Sequence, residues 1–238
     1  MSQIQQRDLL PRWKELFKIA GIAAIVSELV LVLGFVTYFF WPYAPGNKST
    51  KEIFLLLQSN PLGGLISLDL FLVLGNLVGI ILFLTLYVSL KQVNETYAMI
   101  ALAVGLIGVV LLFPSRPLLE LLTLSRSYTS ATSEAAESQY LASGATLLAL
   151  FDGTGWFLNN LLGGFSLLVS SLMMLRSEVY SKTTAYVGIV TNAMVCAFFI
   201  PVLGMIFLFL TIPGYILWYF LLAKTFFKLG YGRQNVVR

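Results

Sequence analysis

Apolar residues run along this chain in long blocks, separated by short polar interruptions. A bilayer hydrocarbon core of about 30 Å takes roughly 20 helical residues to cross. On that ruler the pattern predicts six membrane-spanning helices, at about 17–41, 61–90, 97–113, 153–175, 183–200 and 205–227. The first block is too long for the apolar region of a signal peptide, and no small-residue cleavage site follows it, so it reads as an uncleaved span. Before it, residues 1–16 form a polar segment with Arg7, Arg12 and Lys14, in which Leu9, Leu10 and Trp13 lead to Phe17 at helical spacing. That pattern predicts a segment lying along the membrane interface.

The joins sharpen the layout. Asn60-Pro61 reads as an N-cap followed by proline at the first helical position. The 61–90 block is longer than a bilayer needs, which predicts tilt or projection beyond the membrane. Lys91 to Glu95 is a tight polar turn that makes the second and third spans antiparallel neighbours. Pro114 and Pro117 interrupt the third block, and about 114–150 reads as an outer polar loop, rich in Ser, Thr, Ala and Glu from Ser125 to Ser143. A kinked continuation of the third span over Leu118 to Leu124 is the alternative. From Thr183 to Phe227 there are 45 residues with no acidic side chain. As one helix they would measure about 68 Å at 1.5 Å per residue, so they must hold two spans, with the turn at Pro201 to Gly204 and a kink at Pro213-Gly214.

Composition agrees. Of the 238 residues, 58% are hydrophobic and 11% are charged, where a soluble domain carries about 25% charged. The fold class is therefore all-α, a polytopic transmembrane helix bundle forming a single integral membrane domain. With six spans, eleven of the 15 basic residues fall on the side of the termini; the other side holds Lys48, Lys51, Arg116 and Arg126. The positive-inside rule then puts both termini in the cytoplasm and the chain in the cell membrane. The same distribution, flanking apolar blocks rather than forming a stripe, argues against nucleic acid despite the net charge of +4.

Missing residue types exclude chemistry. There is no histidine and a single cysteine, Cys196, which reads as a small buried hydrophobe. Histidine-ligated haem or zinc, imidazole-based triads and CxxC sites are absent, and no phosphate-binding glycine loop is present. No cofactor and no metal are expected. The chain reads as a non-enzyme, an intramembrane lipid enzyme being the minor reading.

The candidate chemistry is a small acidic-amide set: Glu28 in the first span, Asp69 and Asn76 in the second, and Asn159 with Asn160 in the fourth. A carboxylate in hydrocarbon costs several kcal/mol. No Lys or Arg is expected at the depth of Glu28 or Asp69. The acids would then be protonated and bonded to the amides, bind a cation, or line a wet cavity. Interhelical hydrogen bonding is the bland alternative for each. Asp152 reads as a helix N-cap, and Asn192 alone is a weak signal. Gly75 with Gly79, Ala101 with Gly105, and Ala20 with Ala24 mark close helix packing, while Gly163-Gly164 reads as a flexing point. Trp41, Trp156, Trp218, Tyr38 and Tyr43 fit interfacial belts. Three spans on either side of the long loop hint at an inverted repeat, although the halves share no evident similarity.

Certain short segments carry a resemblance. Ala20-Gly21-Ile22 opens the first span; Leu86-Tyr87, Leu90-Lys91 and Val93-Asn94 close the second. Arg176-Ser177 follows the fourth, Gly188 lies in the fifth, and Leu217-Trp218 to Lys224 lies in the last. The chain in these respects resembles a family of uncharacterised bacterial and archaeal six-helix membrane proteins, catalogued as a domain of unknown function, number 4386. That family usually has a proline before the basic residue of the turn after the fourth span, where this chain has Ser181-Lys182-Thr183. The resemblance implies the six-helix layout and no reaction.

Two functions stay open. One is a transporter-like protein, binding a small solute, proton or cation through Glu28, Asp69, Asn76, Asn159 and Asn160. The other is a non-transporting scaffold, sensor or complex subunit whose buried polar residues hold helices together. The lipid bilayer is the common partner, with a membrane protein or a second copy as a further one.

Overall fold

The computed structural model describes residues 10–200 and 203–232. Ten α-helices are described: α1 Lys14–Thr37, α2 Thr50–Ser59, α3 Pro61–Ser67, α4 Leu70–Leu90, α5 Glu95–Leu112, α6 Leu118–Thr129, α7 Glu134–Ala149, α8 Thr154–Met174, α9 Lys182–Cys196 and α10 Gly204–Tyr231. Short 3-10 turns precede α1 and follow α5, α7 and α9, and the described residues contain no strand. Five helical stretches are long and apolar enough to cross a membrane: Lys14–Thr37, Leu70–Leu90, Glu95–Thr129, Glu134–Met174 and Phe209–Tyr231. Most of the interfacial segment expected over 1–16, and the turn residues Pro201 and Val202, lie outside the described residues.

Two expectations need correction. The 61–90 block is not one helix. α3 stops at Ser67, and α4 starts at Leu70 after Asp69 adopts a positive φ of 70°. The 114–150 segment is not a loop; α6 and α7 occupy most of it, joined by a short turn at residues 130–133. Serine and threonine in that stretch misled, because they serve helix formation. Ser133 caps α7 by accepting from the Ala136 N–H, and Thr123, Thr129, Ser143 and Thr146 turn their hydroxyls back onto carbonyls of their own helices.

The chain divides into two compact units, one of residues 1–29, 77–109 and 160–238, the other of 30–76 and 110–159. In the first, Phe17, Ala20, Ala24, Leu86, Leu90, Met174, Trp218, Leu222 and Phe226 form the core. Small residues let its helices approach. Ala20 and Ala24 are fully buried, Gly105 is pressed by Phe83 and Ser166, and Gly188 by Ser171 and Trp218. Buried polar groups are bonded between helices: Trp218 Nε1 donates to Thr184 O (3.1 Å), Tyr215 Oη to Asn192 Oδ1 (2.9 Å), and the Ser89 and Tyr180 hydroxyls share a 2.6 Å bond. Gly79, by contrast, faces open space, so its spacing from Gly75 does not mark a close contact. The helix α8 runs through Gly163-Gly164 without a break, and α10 runs through Pro213.

In the second unit α2 is the amphipathic element. Ile53, Phe54 and Leu57 point inward to meet Leu68, Leu118, Leu121, Tyr128 and Phe151. Ser49 and Glu52 start α2 with a reciprocal capping box, and Asn60 starts α3 by accepting from the Gly63 N–H. Gln58 Nε2 donates to Ser125 Oγ at 2.7 Å, tying α2 to α6.

The apolar residues of α1 left outside show what solvent the fold expects. Ile19, Ile22, Ile25, Leu29, Leu33, Phe35 and Val36 are exposed on a single helix. Water would penalise such a surface, while lipid does not. The chain is a membrane protein with apolar helices in contact with the bilayer.

Gly188 gives a direct test of the packing. A methyl there would sit 2.4 Å from Ser171 Oγ and 2.5 Å from Trp218 Nε1. Trp218 is fully buried and cannot yield. Gly188→Ala is expected to cost about 1–3 kcal/mol, read as a lower unfolding midpoint in detergent. Gly79→Ala, with room for its methyl, is expected to leave the midpoint unchanged or raise it.

Candidate functional site

The polar centre of the second unit is built on the break at Asp69. Asp69 N–H donates to Ile66 O, and Asp69 O accepts from Val73 N–H, so the residue closes α3 and opens α4. A left-handed φ is uncommon for any residue other than glycine, and Asp and Asn tolerate it best. The turn is held from outside as well, by Ala44 N–H donating to Ser67 O at 3.0 Å.

With that backbone set, the carboxylate of Asp69 points away from its own helix. Tyr38 Oη donates to Asp69 Oδ1. Arg116 Nε donates to Oδ2 at 2.8 Å, an ion pair whose arginine side chain is 1% exposed. Arg116 sits just after the 3-10 turn Phe113–Ser115. Its Nη1 donates to Ser115 O (3.0 Å) and to Phe151 O (2.9 Å). Its guanidinium also lies 4.8 Å from the Phe151 ring centroid and 4.6 Å from that of Trp156. Charge, hydrogen bonds and two aromatic faces thus compensate the desolvation of a buried cation. Tyr43 stands edge-on to Tyr38; burial first, and the charge of Asp69 second, push its phenol above the ordinary value, so it stays protonated.

A second polar link lies in the same unit. Asn159 Nδ2 donates to Asn76 Oδ1 at 3.0 Å, and Asn76 Nδ2 donates to Leu72 O at 3.0 Å. Asn159 is 8% exposed.

The expected site residues therefore separate. Asp69, Asn76 and Asn159 belong to the second unit, whereas Glu28 and Asn160 belong to the first. Asn76 and Asn159 are bonded to each other, and Asp69 is bonded to residues outside the expected set. Glu28 is half-buried, with no hydrogen bond or ion pair among the described residues. Asp152 is exposed, in the 3-10 turn Leu150–Asp152. Asn192 accepts from Tyr215 and donates to Gly188 O. The expectation that no cation would meet Asp69 is wrong. Arg116, placed in the polar loop by its prolines, is buried against it. Trp156, read as an interfacial belt residue, faces the Arg116 guanidinium. A lone arginine between Pro114 and Pro117 was the available signal. Among the described residues no cluster of three or more acidic, Cys or His groups could hold a metal.

Removing one partner of a buried pair leaves the other charge uncompensated, at a cost of about 3–5 kcal/mol. Asp69→Asn keeps a residue that tolerates the left-handed backbone, so it isolates the charge. Asp69→Asn and Arg116→Met are each expected to lower the unfolding midpoint in detergent strongly. The double variant should lose far less than the two losses added, which a double-mutant cycle measures.

No curated protein and no solved structure matches the chain. A family model does match, over residues 29–224, and its description is a domain of unknown function, DUF4386. The match covers most of the 238 residues, and the chain belongs to that family.

Proposed function

We propose that the chain is a non-transporting membrane scaffold or complex subunit, in which the intramembrane polar groups hold helices in a set arrangement. One observation carries this reading. Both oxygens of Asp69 are engaged, by Tyr38 and Arg116, and Asn159 is bonded to Asn76. Three of the five groups suited to hold a solute are thus committed to neighbours within the chain.

We place this scaffold in the cell membrane with six spans and both termini cytoplasmic. The five long apolar stretches leave out α9, whose 15 residues would rise about 22 Å. The 3-10 turn Ala197–Phe199 lengthens it toward a sixth crossing. Burial of Arg116 supports the orientation, because it takes a basic residue off the outer surface and leaves Lys48, Lys51 and Arg126 there.

A second reading, a proton or small-solute site at Glu28, is favoured by a separate observation. Glu28 has no partner among the described residues, and the buried Ser27 Oγ beside it in sequence has none either. The two readings part in proteoliposomes loaded with a pH-sensitive dye. The scaffold reading expects proton permeability to be the same for the wild type and Glu28→Gln at every pH. A pH-dependent flux that Glu28→Gln abolishes, with the unfolding midpoint unchanged, would establish the second reading instead.

A further inference from the structure

We propose that the turn between α4 and α5 seats the headgroup of an anionic phospholipid, with Lys91 as its cation and Trp13 and Tyr87 as its walls. The first unit contains all three residues. Lys91 Nζ lies 5.9 Å from the Trp13 ring centroid and 5.7 Å from that of Tyr87. Two aromatic faces attract an ammonium group and narrow the positions it can occupy, yet they do not neutralise it.

Two other lysines of the same unit are answered differently. Lys18 Nζ is paired with Glu15 at 2.7 Å and lies over the Tyr231 ring. Lys182 Nζ donates to Leu175 O, at the end of α8. The ion pairs of the described residues are Lys18 with Glu15 and Arg116 with Asp69, so Lys91 has no carboxylate. It is a half-buried, positioned cation without a counter-ion.

The surroundings identify the anion's source. Trp13 is 37% exposed and precedes α1, a helix that exposes Glu15, the partner of Lys18, in its first turn and only apolar residues from Ile19 onward. Tyr87 lies in the last turn of α4, also long and apolar enough to cross a bilayer. Tryptophan, tyrosine and lysine at the ends of such helices sit at headgroup depth, where lipid phosphate is the abundant anion. Arg12, exposed beside Trp13 in sequence, adds positive charge to this end. A ring pair open at headgroup depth suits a phosphate carried on acyl chains better than a free ion, because the chains can follow the apolar helix surfaces below it.

The experiment is thermal unfolding of the detergent-purified full chain with added phosphatidylglycerol, phosphatidylcholine or inorganic phosphate. The expected result is a rise in the unfolding midpoint with phosphatidylglycerol alone, suppressed by 0.5 M salt. Lys91→Gln should reduce that rise at least twofold, Trp13→Leu should reduce it too, and Lys91→Arg should keep it. If Lys91→Gln fails to fold, native mass spectrometry of Trp13→Leu and Lys91→Arg decides, with fewer bound phosphatidylglycerol molecules expected only for the former. An equal rise with phosphatidylcholine, an equal rise with inorganic phosphate, or full retention of the phosphatidylglycerol effect or binding in the variants expected to lose it overturns the proposal.

Discussion

One buried ion pair organises the second unit. Asp69 could not sit in an apolar interior alone, nor could Arg116. Brought together, they join four segments at one point: the end of α1 through Tyr38, the break between α3 and α4, the 3-10 turn after α5, and the 3-10 turn after α7 through Phe151 O. The left-handed backbone at Asp69 is the local cost of aiming the carboxylate that way. Such a contact weighs more for geometry than for net stability. An apolar pair could fill the same space, but it would not specify which turn meets which.

The first unit follows a different rule. Its core mixes leucines and methionines with small residues, aromatic rings and hydroxyls bonded across helices, while Ile19, Ile22, Ile25 and Leu29 of α1 face outward. Water does not drive helices together inside a bilayer, so close packing at glycine and alanine and bonds such as Trp218 to Thr184 take over. The small spaces left are apolar. A cavity of about 30 Å³ beside Gly79, lined by Leu82, Phe83, Leu167 and Trp218 among others, has room for little more than one water molecule.

How much of this the sequence disclosed depends on the range of the interaction. Helical class and membrane nature follow from long apolar blocks, a property of each segment by itself. The cap at Asn60 and the short turn at Lys91 are equally local, and both are where the residues suggest. The break at Asp69 is not local. Nothing in Leu68-Asp69-Leu70 demands it, since Asp69 leaves the helix to meet a cation 47 residues later. Arg116 was misread for the same reason, because flanking prolines look like a loop until a carboxylate is known to lie opposite. The segment 114–150 failed differently. Ser- and Thr-rich composition is read as loop, yet these hydroxyls cap or back-bond to their own helices. Of the expected site, the Asn76–Asn159 bond joins two residues singled out for their unusual polarity, while Glu28 and Asn160 fall in the other unit.

The 47-position separation of Asp69 and Arg116 also bears on how the protein is made. Chains grow at about 5–20 residues per second, so the arginine leaves the ribosome roughly 2–9 s after the aspartate. Through that interval Asp69 is without Arg116, the cation it meets in the folded chain. Synthesis order thus sets a bound on assembly: the contact that fixes the break between α3 and α4 cannot close until the turn after α5 has been made.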